Sequence, residues 1–197
     1  TYLTTGDYVK GGIPMDLFVL AMGKNSKNYL KRTGLNATIS HEYTAVKAVN
    51  GENLVAPNCL QCHAQVFNGE LVIGMGNTFI DFSQGDKLNA QAYAMMENFL
   101  KKSSPKKYEA SKPFLQVAKT IGPYLNTAVR GVNAADRLAG VLAAHRDPVT
   151  FRWHDTASLE IPKEVIPSDV PPWWLLKKKN AMFYNGFGRG DFGKFLM

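Results

Sequence analysis

The 197-residue chain has only two cysteines, Cys59 and Cys62, too few for a disulfide-stapled miniprotein. It also lacks any apolar run near the 18 residues that a membrane-spanning helix needs; its longest candidate is Leu17 to Met22. Acidic residues are in deficit, 16 against 23 lysines and arginines, which leaves a formal charge of +7. Such a surplus suits an acidic partner, a membrane surface or nucleic acid. No recognition motif flanks Lys101-Lys102, Lys106-Lys107 or Lys177-Lys178-Lys179, which argues against nucleic acid. Internal repeats and low-complexity segments are absent too. What remains, 45% hydrophobic and 20% charged, is the composition of a globular protein and excludes general disorder. The length suffices for one domain or a tight pair with a sizeable core.

The scarce cysteines carry the strongest signal. Cys59-Leu60-Gln61-Cys62-His63 reads C-x-x-C-H, the attachment sequence of c-type haem. Each thiol adds across one haem vinyl group, so two thioethers fix the porphyrin against a short turn. The histidine that follows is then placed to bind the iron axially. The expected cofactor is one covalently attached haem c on Cys59 and Cys62, with His63 as the proximal iron ligand. Three alternatives stand beside it. A redox dithiol prefers a βαβ setting, whereas Ala56-Pro57-Asn58 precedes this pair. A zinc site needs four ligands, and only His41, His145 and His154 remain as further histidines. A disulfide closed over two residues is strained.

Past the histidine, Gly69 to Asn77 (GELVIGMGN) resembles the Gly-Pro-Asn turn of class I cytochromes c, with Met75 where that family has proline. The resemblance implies a backbone carbonyl accepting a hydrogen bond from the axial histidine's second nitrogen, which orients the ring. It also puts Met75 beside His63, on the wrong side of the haem to be a sixth ligand.

Apolar spacing predicts a mainly α, cytochrome c-like helical haem domain with long loops and few or no short strands. Thr1 to Gly12 reads as extended and Met15 to Met22 as a short helix, with a strand pair near His41 to Val49 and Asn53 to Val55. Leu88, Ala92, Met95, Met96, Phe99 and Leu100 recur at helical spacing. A second helix runs from Pro113 and breaks at Gly122-Pro123; a third spans Asn133 to His145 and stops before Asp147-Pro148. Trp173 to Tyr184 is compatible with a helix, and the glycine-rich Asn185 to Gly193 reads as loop. The whole is one haem domain: an N-terminal extension at 1–50, a haem-binding core at 51–147, and a Pro/Trp/Gly-rich extension at 148–197.

Asp169-Val170-Pro171-Pro172-Trp173-Trp174, Tyr184-Asn185-Gly186, Arg189-Gly190-Asp191 and Gly6-Asp7-Tyr8-Val9, taken with the haem sequence, carry a wider resemblance. The chain resembles the N-terminal haem half of the bacterial di-haem cytochrome c peroxidase superfamily, including its rubber-oxygenase-like branch. In that family the second half holds another C-x-x-C-H, absent from this sequence. The resemblance therefore implies either a fragment of a longer di-haem protein or a mono-haem relative. Thr1-Tyr2-Leu3-Thr4 has no signal-peptide character, yet covalent haem attachment takes place outside the bacterial cytoplasm. The expectation is a periplasmic or otherwise extracytoplasmic protein whose leader has been removed.

The ligand opposite His63 decides the chemistry, because electron transfer favours two protein ligands and peroxide or O₂ chemistry needs one open position. His145 is the leading sixth-ligand candidate, in register with Leu138, Val141 and Leu142; its alternative role is a buried or capping histidine bonded to a carbonyl. Met95, Met96, His41 and His154 follow. Trp153, Trp173, Trp174 and Tyr184 are either hydrophobic anchors or electron relays. Arg130, Arg137 and Arg146 are candidates for the haem propionates, with surface salt bridges as their alternative. Two propionates would lower the formal charge to about +5. The functional expectation is single-electron transfer as a domain or subunit of a di-haem oxidoreductase, with an acidic redox partner. The alternatives are a haem peroxidase or oxygenase with open iron, and a haem-based sensor.

Overall fold

The computed structural model describes residues 2–6, 10–24, 27–83, 86–164, 166–170, 172–182 and 188–190. Asp7, Tyr8, Val9, Pro171, Tyr184, Asn185, Gly186 and Asp191, which carry part of the di-haem resemblance, lie outside these, as does most of the glycine-rich tail.

Backbone pairing begins early. Strand β1 (Ile13–Pro14) leads directly into helix α2 (Met15–Met22), which follows a short helix α1 (Tyr2–Thr5) where the sequence reads as extended. Strands β2 (Tyr43–Lys47) and β3 (Asn53–Pro57) form an antiparallel pair with Ala45 opposite Val55, and β1 adds on the far side of β3. Pairing on both edges makes β3 central, and Leu54, Val55 and Ala56 are buried in succession. Phe18 from α2 and Ile39 pack against Val55 in a small core that Tyr43 flanks edge-on, at 4.8 Å from the Phe18 ring.

A single helical turn, α3 (Leu60–His63), follows β3 and passes into a hairpin of β4 (Ala64–Phe67) and β5 (Glu70–Ile73). Two long helices come next, α4 (Asp86–Ser103) and α5 (Pro105–Ile121), then α6 (Ala135–Ala144). Tyr93 of α4 meets Phe114 of α5 edge-on, and Glu97 binds Lys101 and, across the helix pair, Lys119. A 3₁₀ segment, Trp173–Lys178, precedes the two-residue strands β6 (Ala181–Met182) and β7 (Gly188–Arg189). Backbone bonds join all three stretches of the chain: β1 to β3, and Trp173 to Gly74.

The protein is therefore mixed α/β, 40% helical and 16% strand, and not the mainly α, cytochrome c-like domain that the periodicity predicts. The error has a local cause. Residues 64–73 hold two apolar-polar runs around Asn68-Gly69, whose positive φ angles of 49° and 81° make a tight hairpin turn. The expected strand pair near 41–55 and the helix at 15–22 are present. Helix α5 starts at Pro105 and carries Pro113 within it, although the second helix was expected to begin at Pro113. Proline costs it one backbone bond, and the residue is exposed, so the ring faces no packed neighbour. Helix α5 ends at Ile121 before Gly122-Pro123, and α6 ends before Asp147-Pro148, as expected.

Candidate functional site

Cys59, Cys62 and His63 occupy positions i, i+3 and i+4 of one helical turn, so they share one of its faces. Cys59 already has helical backbone angles, and its carbonyl accepts the N–H of His63 at 3.0 Å. The turn starts here because Asn58 stops the strand. Its side-chain oxygen accepts the Leu60 N–H at 2.8 Å, while its amide donates to the His41 carbonyl and to Thr44. Leu60 is fully buried and anchors the turn. On the downstream side Gly74 N–H donates to the His63 carbonyl and Asn77 N–H to the Cys62 carbonyl, each at 2.8 Å. The Asn77 amide also reaches the Gln61 carbonyl. Four backbone attachments leave the turn little freedom, while its three reactive side chains remain unbonded.

Both cysteines are free thiols, Cys59 exposed and Cys62 half-buried. Burial, with smaller contributions from Cys59 and Glu42, pushes the Cys62 thiol up, which opposes a reactive thiolate there. Among the described residues no three His, Cys, Asp or Glu side chains gather as a metal-chelating group.

His63 lies face to face with Trp173, ring centroids 4.7 Å apart and planes inclined at 27°. Its Nδ1 is buried and has no hydrogen-bond partner. The carbonyl that the class I cytochrome resemblance implies is therefore not bonded to it; the hairpin uses the His63 peptide instead, through Gly74. An unmade bond at such an atom costs about 1–3 kcal/mol. Burial also pushes the His63 imidazole down, favouring the neutral ring that a metal ligand must be. The geometry fits a covalent haem: two free thiols and an imidazole on one face of a turn. A stacked indole covers one face of the imidazole. Cys59 and Cys62 would hold the group and His63 would be its axial ligand.

Trp173 arrives on a segment that clamps the downstream strand. Its N–H donates to the Gly74 carbonyl at 2.9 Å, and Trp174 Nε1 donates to the Ile73 carbonyl at 3.1 Å. Gly74 has φ +86°, and a Cβ there would sit 3.2 Å from the Trp173 Cβ and 3.0 Å from Trp174 Nε1. At Gly76 a Cβ would come within 2.2 Å of the Val170 carbonyl oxygen. These glycines and Asn77 position the site, and the sequence marked them only as part of a loop resemblance. Met75, between them, is half-buried.

His145 belongs to a different cluster. It is buried at the C-terminus of α6, stacked on Trp153 at 5.0 Å and 14°, with Nδ1 2.8 Å from the His154 carbonyl oxygen. No described contact joins it to His63. His154 is exposed, and its N–H donates to the His145 carbonyl. His41 is half-buried against Tyr29, its imidazole pushed down first by burial. Met95 is 73% exposed and Met96 half-buried, so the α4 stripe faces solvent at Met95 and Phe99 and is core only at Leu100. The Leu88 side chain lies outside the described ones.

The three arginines bond carbonyls. Arg130 donates to Phe79, Arg137 to Pro162 and Lys163, and Arg146 to Phe151 while lying over the Trp153 ring. Of these, Arg130 lies nearest the site along the hydrogen bonds, because Phe79 N–H binds Asn77 Oδ1. Lysines are partly neutralised: Lys101 pairs with Glu97, Lys106 with Glu52 and Lys107 with Asp16. An open depression of about 410 Å³ lies beside the His145 cluster, lined by Leu142, Arg146, Pro148, Phe151 and Leu159 among others. Among the described residues no helix is long and apolar enough to cross a membrane. Comparisons of the chain with protein families, with curated proteins and with solved structures found no match.

Proposed function

We propose that the protein is an extracytoplasmic c-type haem protein that transfers single electrons as a domain or subunit of a di-haem oxidoreductase. One observation carries the reading: Cys59, Cys62 and His63 lie on one face of a rigidly held turn, with both thiols free. Haem bound there supplies an iron centre that changes oxidation state by one electron. Cys59 and Cys62 would attach it through two thioethers and His63 would present its imidazole, with the His63 peptide held by Gly74 and the ring stacked on Trp173. The +7 formal charge supports an acidic redox partner, since opposite charge speeds encounter.

The test is expression with a bacterial haem-attachment apparatus, followed by the alkaline pyridine spectrum of the denatured protein. Haem that stays with the polypeptide after acid-acetone extraction is the expected result; a colourless chain overturns the reading. Ferric spectra with and without cyanide then separate electron transfer from its alternative. Low-spin iron indifferent to cyanide is expected. High-spin iron that takes cyanide rapidly would instead assign the protein to peroxide or O₂ chemistry.

A further inference from the structure

A ligating histidine needs its ring held, because rotation about Cβ–Cγ swings the coordinating nitrogen away from the metal. A hydrogen bond at the second nitrogen usually does this. Here His63 Nδ1 is buried without a partner, and the ring instead lies against the Trp173 indole. The indole is itself fixed by three features. Trp173 N–H is bonded to Gly74, the residue whose own N–H holds the His63 carbonyl; Trp174 is bonded to Ile73; and the Val170 carbonyl sits against Gly76, leaving no room for a side chain.

We infer that Trp173 is the positioning residue for the His63 imidazole, stacking taking the place of the hydrogen bond that its Nδ1 lacks. This rests on His63 being the axial ligand, but the stack itself is a property of the metal-free chain. A ring oriented this way keeps its Nδ1 proton unshared, so the ligand is less electron-rich than a hydrogen-bonded histidine, and the ferrous state is favoured relative to one with that bond. Trp174, whose indole is occupied with the Ile73 carbonyl, anchors the segment and does not orient the ring.

The experiment compares wild type with Trp173→Phe, Trp173→Leu and Trp174→Leu, all as full chains. In the metal-free wild type, the ring protons of His63, identified by their loss in His63→Ala, should be shifted upfield by the indole. Trp173→Phe should retain a smaller upfield shift, and Trp173→Leu should abolish it. In the haem-loaded chains, Trp173→Leu should broaden the ferric EPR signal and alter the midpoint potential, and Trp173→Phe should restore the wild-type line shape. Unshifted His63 protons in the wild type overturn the positioning role whether or not haem is bound. So does a haem-loaded Trp173→Leu with wild-type line width and potential. Wild-type chains that show the upfield shift yet take up no haem would leave the stack standing and sink the haem reading. If Trp173→Leu does not fold, the wild-type shift and the Trp173→Phe spectrum still decide the matter.

Discussion

Two histidines in this protein lie face to face with a tryptophan, and they differ in what holds the imidazole edge. His145 stacks on Trp153 with its Nδ1 bonded to the His154 carbonyl. His63 stacks on Trp173 with its Nδ1 buried and unbonded. Around His145 the other polar groups are also satisfied: Arg146 on the Phe151 carbonyl, Asp147 by Thr150 and Val149, Ser158 on the Ala144 carbonyl. That cluster is a finished piece of structure that closes the end of α6. Around His63 the backbone is bonded to Gly74 and Asn77 while Nδ1 has no partner and both thiols are free, which is how a candidate site differs from a cap. The lesson concerns the choice between two histidines on apolar faces: the unsatisfied one is the functional candidate. His145 as a sixth ligand remains a proposal, and its surroundings favour the capping role.

The contrast can be broken by substitution. If the proposed haem attachment holds, replacing Cys59 and Cys62 with serine should remove covalent haem entirely, read as haem lost on acid-acetone extraction, whereas His145→Phe should retain it. Next in size is Gly76→Ala, which forces a Cβ against the Val170 carbonyl and should cost about 1–3 kcal/mol of stability by chemical denaturation. It should also weaken the Trp173 stack. An unchanged denaturation midpoint would mean that the 170–174 segment is not bound where the structure has it. His145→Phe keeps a ring against Trp153 but loses the donor to His154, so about 1 kcal/mol is expected, with unaltered ferric bands. Altered bands would make His145 an iron ligand and erase the distinction drawn above.

The smallest effect concerns acid. Hydrogen bonds from the Thr150 backbone and hydroxyl and from the Val149 backbone hold the Asp147 carboxyl below its usual range. Its folded pKa thus lies below the unfolded value near 3.9, so its contribution is present above about pH 4 and drains away as pH falls through the folded value. Asp147→Asn should flatten that part of the stability-pH curve, measured by denaturation between about pH 5 and 2. An identical curve would show that the cluster around His145 is not tied together through Asp147.

The C-x-x-C-H turn could be picked out because its five residues are adjacent, and the sheet strands at 43–57 because two short runs flank the Asn50-Gly51 turn. The helix stops at Gly122-Pro123 and Asp147-Pro148 were legible from proline sterics. The β4–β5 hairpin was legible in principle, since Asn-Gly between alternating runs is a strong turn signal, but the resemblance to a cytochrome loop masked it. The exposure of Met95 and Phe99 could not be read, because helical spacing finds a stripe and not what covers it. Nor could the Trp173 stack, which depends on two segments far apart in the chain.

That separation has a kinetic consequence. Trp174 and Ile73 are 101 residues apart, so the clamp over the His63 turn closes only after a very long loop has been brought together. The β4–β5 hairpin is local and forms within microseconds. On loop-closure grounds the clamp contact is expected to form after the local hairpin beside the cysteine turn.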